Sequence, residues 1–185
     1  MCGMAEVIKY GLILDYEFAN DISNNFSGIL KLNDQEQTIK LIKRCVELKA
    51  EVVAKDEQES GLRRILNFGH TFGHSIETIL PRGSITHGEA VAFGMRAAIR
   101  LSELLELLSS DQSEEALKLV KKINLPDSIR ELTVTEIIDT MSSDKKVKEG
   151  EIHFVLLDKI GSAVIRSRIE KPLIEESILF AQESI

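Results

Sequence analysis

The sequence predicts a mainly α, multi-helix domain with one short β-hairpin near the C-terminus. Three observations point that way. Apolar residues recur at helical spacing along most of the chain, and helix-starting and helix-ending residues stand where that spacing stops. Only Ile152–Leu157 and Ser162–Ile169, on either side of Asp158–Gly161, read as a pair of strands. The 185 residues, 43% of them hydrophobic, are enough for a single domain with a proper core.

In chain order, Met4 to Leu14 reads as a helix that is apolar on most sides. Its Glu6 and Lys9 lie three apart and share a face. A carboxylate and an ammonium among apolar neighbours need partners. Residues 15–31 predict a second short helix and a loop near Ser27–Gly28. Asp34 is the expected N-cap of a long helix to Ala54, with apolar Ile39, Leu41, Ile42, Val46, Leu48, Val52 and Val53, and with Lys49 near its end. A charged connection leads to Gly61 and a helix expected to run unbroken to Leu80. Pro81 and Gly83 then break the chain. Thr86 and Glu89 have the spacing of a capping box, and the helix they start, to Leu108, is apolar nearly all round at its beginning, as a buried helix is. Further helices are expected over Asp111–Ile123, Thr135–Met141 and from Pro172 to Glu183, with a basic loop at Ser143–Lys148.

Composition narrows the function. A net charge of −7 disfavours a general nucleic-acid binder, though not a small anionic substrate in a local basic pocket. No apolar run reaches transmembrane length, and the start lacks the pattern of a signal peptide. Cys2 and Cys45 do not make a disulfide framework; free thiols and a cytoplasmic location are the expectation.

On the helix expected over 61–80, Arg63, Asn67, His70, His74 and Glu77 fall on one narrow stripe. A solvated stripe is usually Glu, Lys and Gln; Asn and His are poor helix formers, so this line has the character of a site. The i, i+4 spacing lets His70 and His74 reach one metal. His87, beyond the Pro/Gly turn, can fold back beside them, and Glu6 can add an oxygen. As the first residue of its helix, His87 sits at the positive end of the dipole, which favours a neutral ring able to coordinate. Two or three histidines with one carboxylate suit a catalytic Zn²⁺ or similar ion. Arg63, Lys9 and Lys49 supply cations and Asn67 an amide, groups that bind phosphate or carboxylate. No GxGxxG or Walker loop is present.

Three segments, AEVIKYG at Ala5–Gly11, LNFGHTFGHSIE at Leu66–Glu77 and HGEAVAFGM at His87–Met95, resemble the C-terminal-domain motifs of 3-dehydroquinate synthase, with DKK at Asp144–Lys146 as a weaker match. The resemblance spans essentially the whole chain. It implies a helical domain in which Glu6, His70 and His87 hold the metal, Zn²⁺ or Co²⁺. It places Lys9, Lys49, Arg63, Asn67 and His74 around the substrate, with Lys146 (or Lys145) as another anion contact and Glu59 as a carboxylate near the site. Of these, it implies catalytic roles for Lys9, Arg63, Asn67 and His74. His74 thus moves from the metal pair suggested by spacing to the substrate.

The family implied converts the seven-carbon phosphate DAHP to 3-dehydroquinate in the shikimate pathway, using NAD and a divalent metal as a homodimer. An N-terminal NAD-binding domain has no counterpart in these residues, so residues 1–185 are expected to be one part of a two-domain enzyme, inactive when isolated. Its polar site would then be an open cleft wall, with Lys9 and Arg63 more exposed than in a working site. Two other readings stay open: a sugar-phosphate cyclase of secondary metabolism, and a catalytically silent helical module that binds no metal.

Overall fold

A computed structural model describes residues 2–31, 34–56, 61–143 and 151–185. Glu59, Lys145 and Lys146 lie outside the described residues. The helices run α1 (Cys2–Leu14), α2 (Tyr16–Lys31), α3 (Gln35–Lys55), α4 (His70–Ile79), α5 (His87–Leu104), α6 (Ser110–Val120), α7 (Val134–Ser143) and α8 (Lys171–Glu183). Short 3-10 helices occupy Leu62–Asn67 and Asp127–Glu131, and β1 (Phe154–Lys159) pairs antiparallel with β2 (Ser162–Arg166).

Helix α5 is the centre of the fold. It is buried almost continuously from Gly88 to Ser102, and α1, α4, α6, α8 and β1 all pack against it. The capping box read from the sequence is present: Thr86 Oγ1 accepts from the Glu89 amide, while the Glu89 carboxylate accepts from the Thr86 amide. Asp34 likewise caps α3 through the Gln37 amide. Midway along α5, Arg96 is buried, and its guanidinium donates to the carbonyls of Ile123 and Ser184. These carbonyls follow the C-terminal ends of α6 and α8, whose dipoles favour a cation there.

The hairpin lies over this core. All of Phe154–Leu157 is buried, and Phe72 of α4 meets Phe154 with ring centroids 5.3 Å apart. The Leu157 amide donates to Ser102 Oγ of α5. Gly161 takes the turn at φ +89°, and its amide donates to the Leu12 carbonyl, which ties the hairpin to α1.

Three expectations need correction. The expected helix over 61–80 is two pieces, the 3-10 helix Leu62–Asn67 and α4, joined at Phe68–Gly69. Gly69 stands at φ +78°, and a Cβ there would lie 2.8 Å from the Val91 carbonyl oxygen and from Met95 Cγ. The break follows from tertiary crowding against α5. Second, α2 runs through Ser27–Gly28 without a loop. Gly28 costs helix propensity, but Phe18, Ala19, Ile22, Phe26 and Ile29 bury one face, and packing outweighs it. Third, α5 ends at Leu104, four residues before the predicted Leu108, where Glu106 adopts a positive φ of 55° and the amides of Leu107 and Leu108 turn back to the Ser102 carbonyl. In α3, Ile39, Ile42 and Val46 face solvent, while Leu48 and Val52 are buried.

Candidate metal and substrate site

Two close helix approaches assemble the site. Helices α4 and α5 run antiparallel and meet along a seam of small residues. A Cβ on Gly94 would lie 1.8 Å from the Gly69 carbonyl oxygen, and one on Gly73 would lie 2.8 Å from the Ala90 carbonyl oxygen. Gly69, the N-cap of α4, and Gly73 within it each immediately precede a histidine, His70 or His74, so the seam sets both imidazoles beside the start of α5. The second approach is that of α1. A Cβ on Gly88 would lie 2.5 Å from the Cys2 carbonyl oxygen, so the first turn of α1 rests on the start of α5. One turn later, α1 brings in Glu6.

The result is a cluster of three imidazoles. Ring centroids are 5.3 Å apart for His70 and His74, 5.3 Å for His70 and His87, and 6.2 Å for His74 and His87. Glu6, His70 and His87 each offer one donor atom within 4.8 Å of the others; His74, Glu77 and His87 form a second such group. Among the described residues, neither group pairs His70 with His74.

Hydrogen bonds fix what the first group can do. His70 Nδ1 lies 3.1 Å from the Phe68 carbonyl, which can only accept, so Nδ1 carries the proton and Nε2 presents a lone pair. That lone pair faces Glu6 Oε1 at 3.7 Å. Oε1 is buried and has no hydrogen-bond partner among the described residues. The other oxygen, Oε2, accepts from Lys9 Nζ at 2.7 Å. A lone pair and an unpartnered carboxylate oxygen facing each other are unfavourable as they stand. A divalent cation between them turns the arrangement favourable, and a nitrogen–oxygen donor set of this kind suits Zn²⁺ or Co²⁺. Burial, with Lys9 nearby, pushes the His70 imidazole down to about 4, so the ring is neutral and competent to coordinate at neutral pH.

The other residues singled out from sequence divide around this cluster. Lys9 is only 3% exposed, which corrects the expectation that it lines an open wall. It is covered where α1 packs into the core, with Glu6 as its partner. Burial lowers its pKa, an effect Glu6 opposes and Lys49 reinforces. Arg63 and Asn67 sit half-buried on the 3-10 helix, whose start is held by buried Asp56: its carboxylate accepts from the amides of Gly61 and Arg63. Lys49 is exposed on α3, and its charge reaches Lys9. His74 is half-buried on α4. Glu77, visible in the sequence only as the end of the polar stripe, lies 3.2 Å and 3.3 Å by its two oxygens from His87 Nδ1. Its distance of seven residues from His70 puts it on the same face, but only the fold of α5 against α4 shows its partner.

Residues 3–147 match the sequence profile of the 3-dehydroquinate synthase C-terminal domain. The chain belongs to this family. The same helical fold with its hairpin occurs in 2-epi-5-epi-valiolone synthase from Streptomyces hygroscopicus subsp. jinggangensis 5008, solved with NAD⁺ and Zn²⁺ bound. The TM-score is 0.82 at 24% identity over 98% of this chain and 51% of that one. A 2-deoxy-scyllo-inosose synthase complexed with carbaglucose-6-phosphate, NAD⁺ and Co²⁺ gives a TM-score of 0.76 at 28% identity, over 96% of this chain and 50% of that one. A second structure of 2-deoxy-scyllo-inosose synthase gives 0.73 at 28% identity, over 96% and 49%. The chain thus spans about half the length of these structural neighbours. Among its described residues, no helix is long and apolar enough to cross a membrane.

Proposed function

We propose that this chain is the metal- and substrate-binding part of a 3-dehydroquinate synthase, acting on DAHP together with an NAD-binding domain. The observation that carries the reading is the buried Glu6 Oε1, without a hydrogen-bond partner among the described residues, facing the His70 Nε2 lone pair, with His87 in the same group. Glu6, His70 and His87 would hold a Zn²⁺ or Co²⁺ ion, as the neighbours solved with those ions suggest. The bound ion supplies Lewis acidity toward the substrate's hydroxyl oxygens, and NAD supplies the redox chemistry.

This chain's own residues bind and orient the substrate. Arg63 offers a planar fork of donors that matches phosphate or carboxylate, and Asn67, four residues away, adds an amide that can donate and accept. Lys9 donates to Glu6 Oε2 and so holds that carboxylate beside the histidines. Its low exposure strengthens every charge interaction it makes. His74 lies beside His70 and outside its donor group; its role on this reading is to exchange a proton with a substrate oxygen.

A second reading, a cyclase acting on another heptulose or hexose phosphate, is favoured by the resemblance to the two secondary-metabolism synthases. One experiment separates the two. The chain is combined with the NAD-binding half of a dehydroquinate synthase, with NAD⁺ and Zn²⁺, and offered each phosphate in turn. Release of phosphate with formation of 3-dehydroquinate from DAHP supports the first reading. Turnover confined to another sugar phosphate overturns it. Zn²⁺ binding by the chain, lost in Glu6→Gln and in His70→Ala, tests the metal assignment separately.

A further inference from the structure

We propose that Glu77 is a positioning residue for His87: it holds the ring as the Nδ1–H tautomer and so presents Nε2 to a divalent cation. This rests on the metal reading given above for Glu6, His70 and His87.

The two histidines of that group face different problems. His70 has a side chain only 14% exposed, and the Phe68 carbonyl fixes its tautomer. His87 has a side chain 41% exposed, so packing alone does not choose its rotation. Its own helix gives it no carboxylate, because Glu89 is engaged with the amide and hydroxyl of Thr86 in the capping box. The carboxylate comes instead from α4. Both oxygens of Glu77 lie within hydrogen-bond distance of Nδ1. A carboxylate accepts, so Nδ1 donates, and the remaining lone pair is on Nε2. A carboxylate behind a ligating histidine fixes the ring and raises its basicity as a donor. At the first turn of α5, the negative charge of Glu77 is also favoured by the helix dipole.

The same residue belongs to the second donor group, His74, Glu77 and His87, so it has a competing role as a ligand to a second ion. The hydrogen bond favours positioning: a cation in that second group would have to displace the Nδ1 proton that Glu77 already accepts.

The test uses the 185-residue chain as wild type, Glu77→Ala, Glu77→Gln and Glu77→Lys. Zn²⁺ affinity and stoichiometry are read by competition with a chromophoric chelator. The His87 tautomer is read from imidazole ¹⁵N shifts of the metal-free protein. Wild type is expected to bind one Zn²⁺ and show the Nδ1–H form. Glu77→Ala is expected to bind one Zn²⁺ about 10–100-fold more weakly and to shift His87 toward the Nε2–H form. Glu77→Gln retains a carbonyl acceptor and should recover most of both; Glu77→Lys cannot accept and repeats the loss should the alanine variant not fold. Equal affinity and unchanged tautomer in Glu77→Ala would overturn the proposal. So would two Zn²⁺ in wild type with one, of unchanged affinity, in Glu77→Ala, since Glu77 would then be a ligand. If wild type binds no Zn²⁺, the metal reading fails, and the ring shifts still decide whether Glu77 sets His87.

Discussion

Replacing Gly94 by alanine should destabilise this protein, although the same change stabilises an isolated helix. Gly94 lies inside α5, where alanine is intrinsically better by about 1 kcal/mol. Its Cβ, however, would lie 1.8 Å from the Gly69 carbonyl oxygen and 2.9 Å from the Gly73 amide nitrogen. Both neighbours are main chain, so no rotamer change relieves the contact. Helices α4 and α5 must separate by about 1.6 Å to bring the 1.8 Å approach to ordinary contact at 3.4 Å. Overpacking of this kind costs about 1–3 kcal/mol, and more where the backbone has to move. A net loss of about 3 kcal/mol corresponds to a fall in Tm of about 6–12 °C for a chain of this size. Thermal unfolding followed by circular dichroism measures it, with Gly28→Ala as the control. Gly28 is also inside a helix, but among the described residues its Cβ meets only Gln37 Oε1, at 3.8 Å, so that variant should gain about 0.5–1 kcal/mol. Because the seam also sets the spacing of His70 and His87, Zn²⁺ affinity of Gly94→Ala should drop together with Tm. A Gly94→Ala protein as stable as wild type, with unchanged Zn²⁺ affinity, would refute the reasoning.

His74→Ala should lower turnover of the assembled enzyme while Zn²⁺ content stays near one per chain; loss of the metal, measured by elemental analysis, would return His74 to the ligands. In the metal-free protein the unfolded chain takes up the His70 proton near its ordinary 6.5, whereas the folded chain resists until about 4. Stability should therefore fall as pH drops through that window, by about 3 kcal/mol from this group at 1.36 kcal/mol per unit. Denaturant titrations at several pH values should show this part of the slope vanish in His70→Asn. Arg96→Met should cost about 3 kcal/mol, since it leaves the Ile123 and Ser184 carbonyls without their buried donor; urea unfolding at neutral pH reads it, and a loss under 1 kcal/mol would show that water takes over both acceptors.

What the sequence shows of this fold is what depends on neighbours along the chain. The Thr86–Glu89 box and the Asp34 cap are legible because their partners lie three residues away. The burial of α5 is legible because no face of Ala90–Met95 is polar. The break at Gly69 is not, since a positive φ there answers to Val91 and Met95, more than 20 residues on. The same holds for the site. His70, His74 and Glu77 keep the shared face that helical spacing assigns them, and Arg63 and Asn67 are carried on a separate turn. The bond from His87 to Glu77 depends on how closely two helices approach, which glycines allow but do not announce. Lys9 reads as a site cation in sequence; that it is almost fully covered is a property of how α1 docks.

The joint at Phe68–Gly69 has a consequence for how such a domain can diversify. It divides the polar stripe into two mechanically separate carriers. The histidines ride on α4, which is locked to α5 main chain against main chain. Arg63 and Asn67 ride on a short turn anchored by the Asp56 carboxylate. Substitutions that tilt or resize that turn can alter the groups offered to a ligand while the spacing of the imidazoles is left alone. In a continuous helix each adjustment at Arg63 would propagate down the axis to His70. Here the left-handed residue isolates one carrier from the other, so, on the function proposed above, selection can act on the preference for a ligand and on the proposed cation site as nearly independent traits.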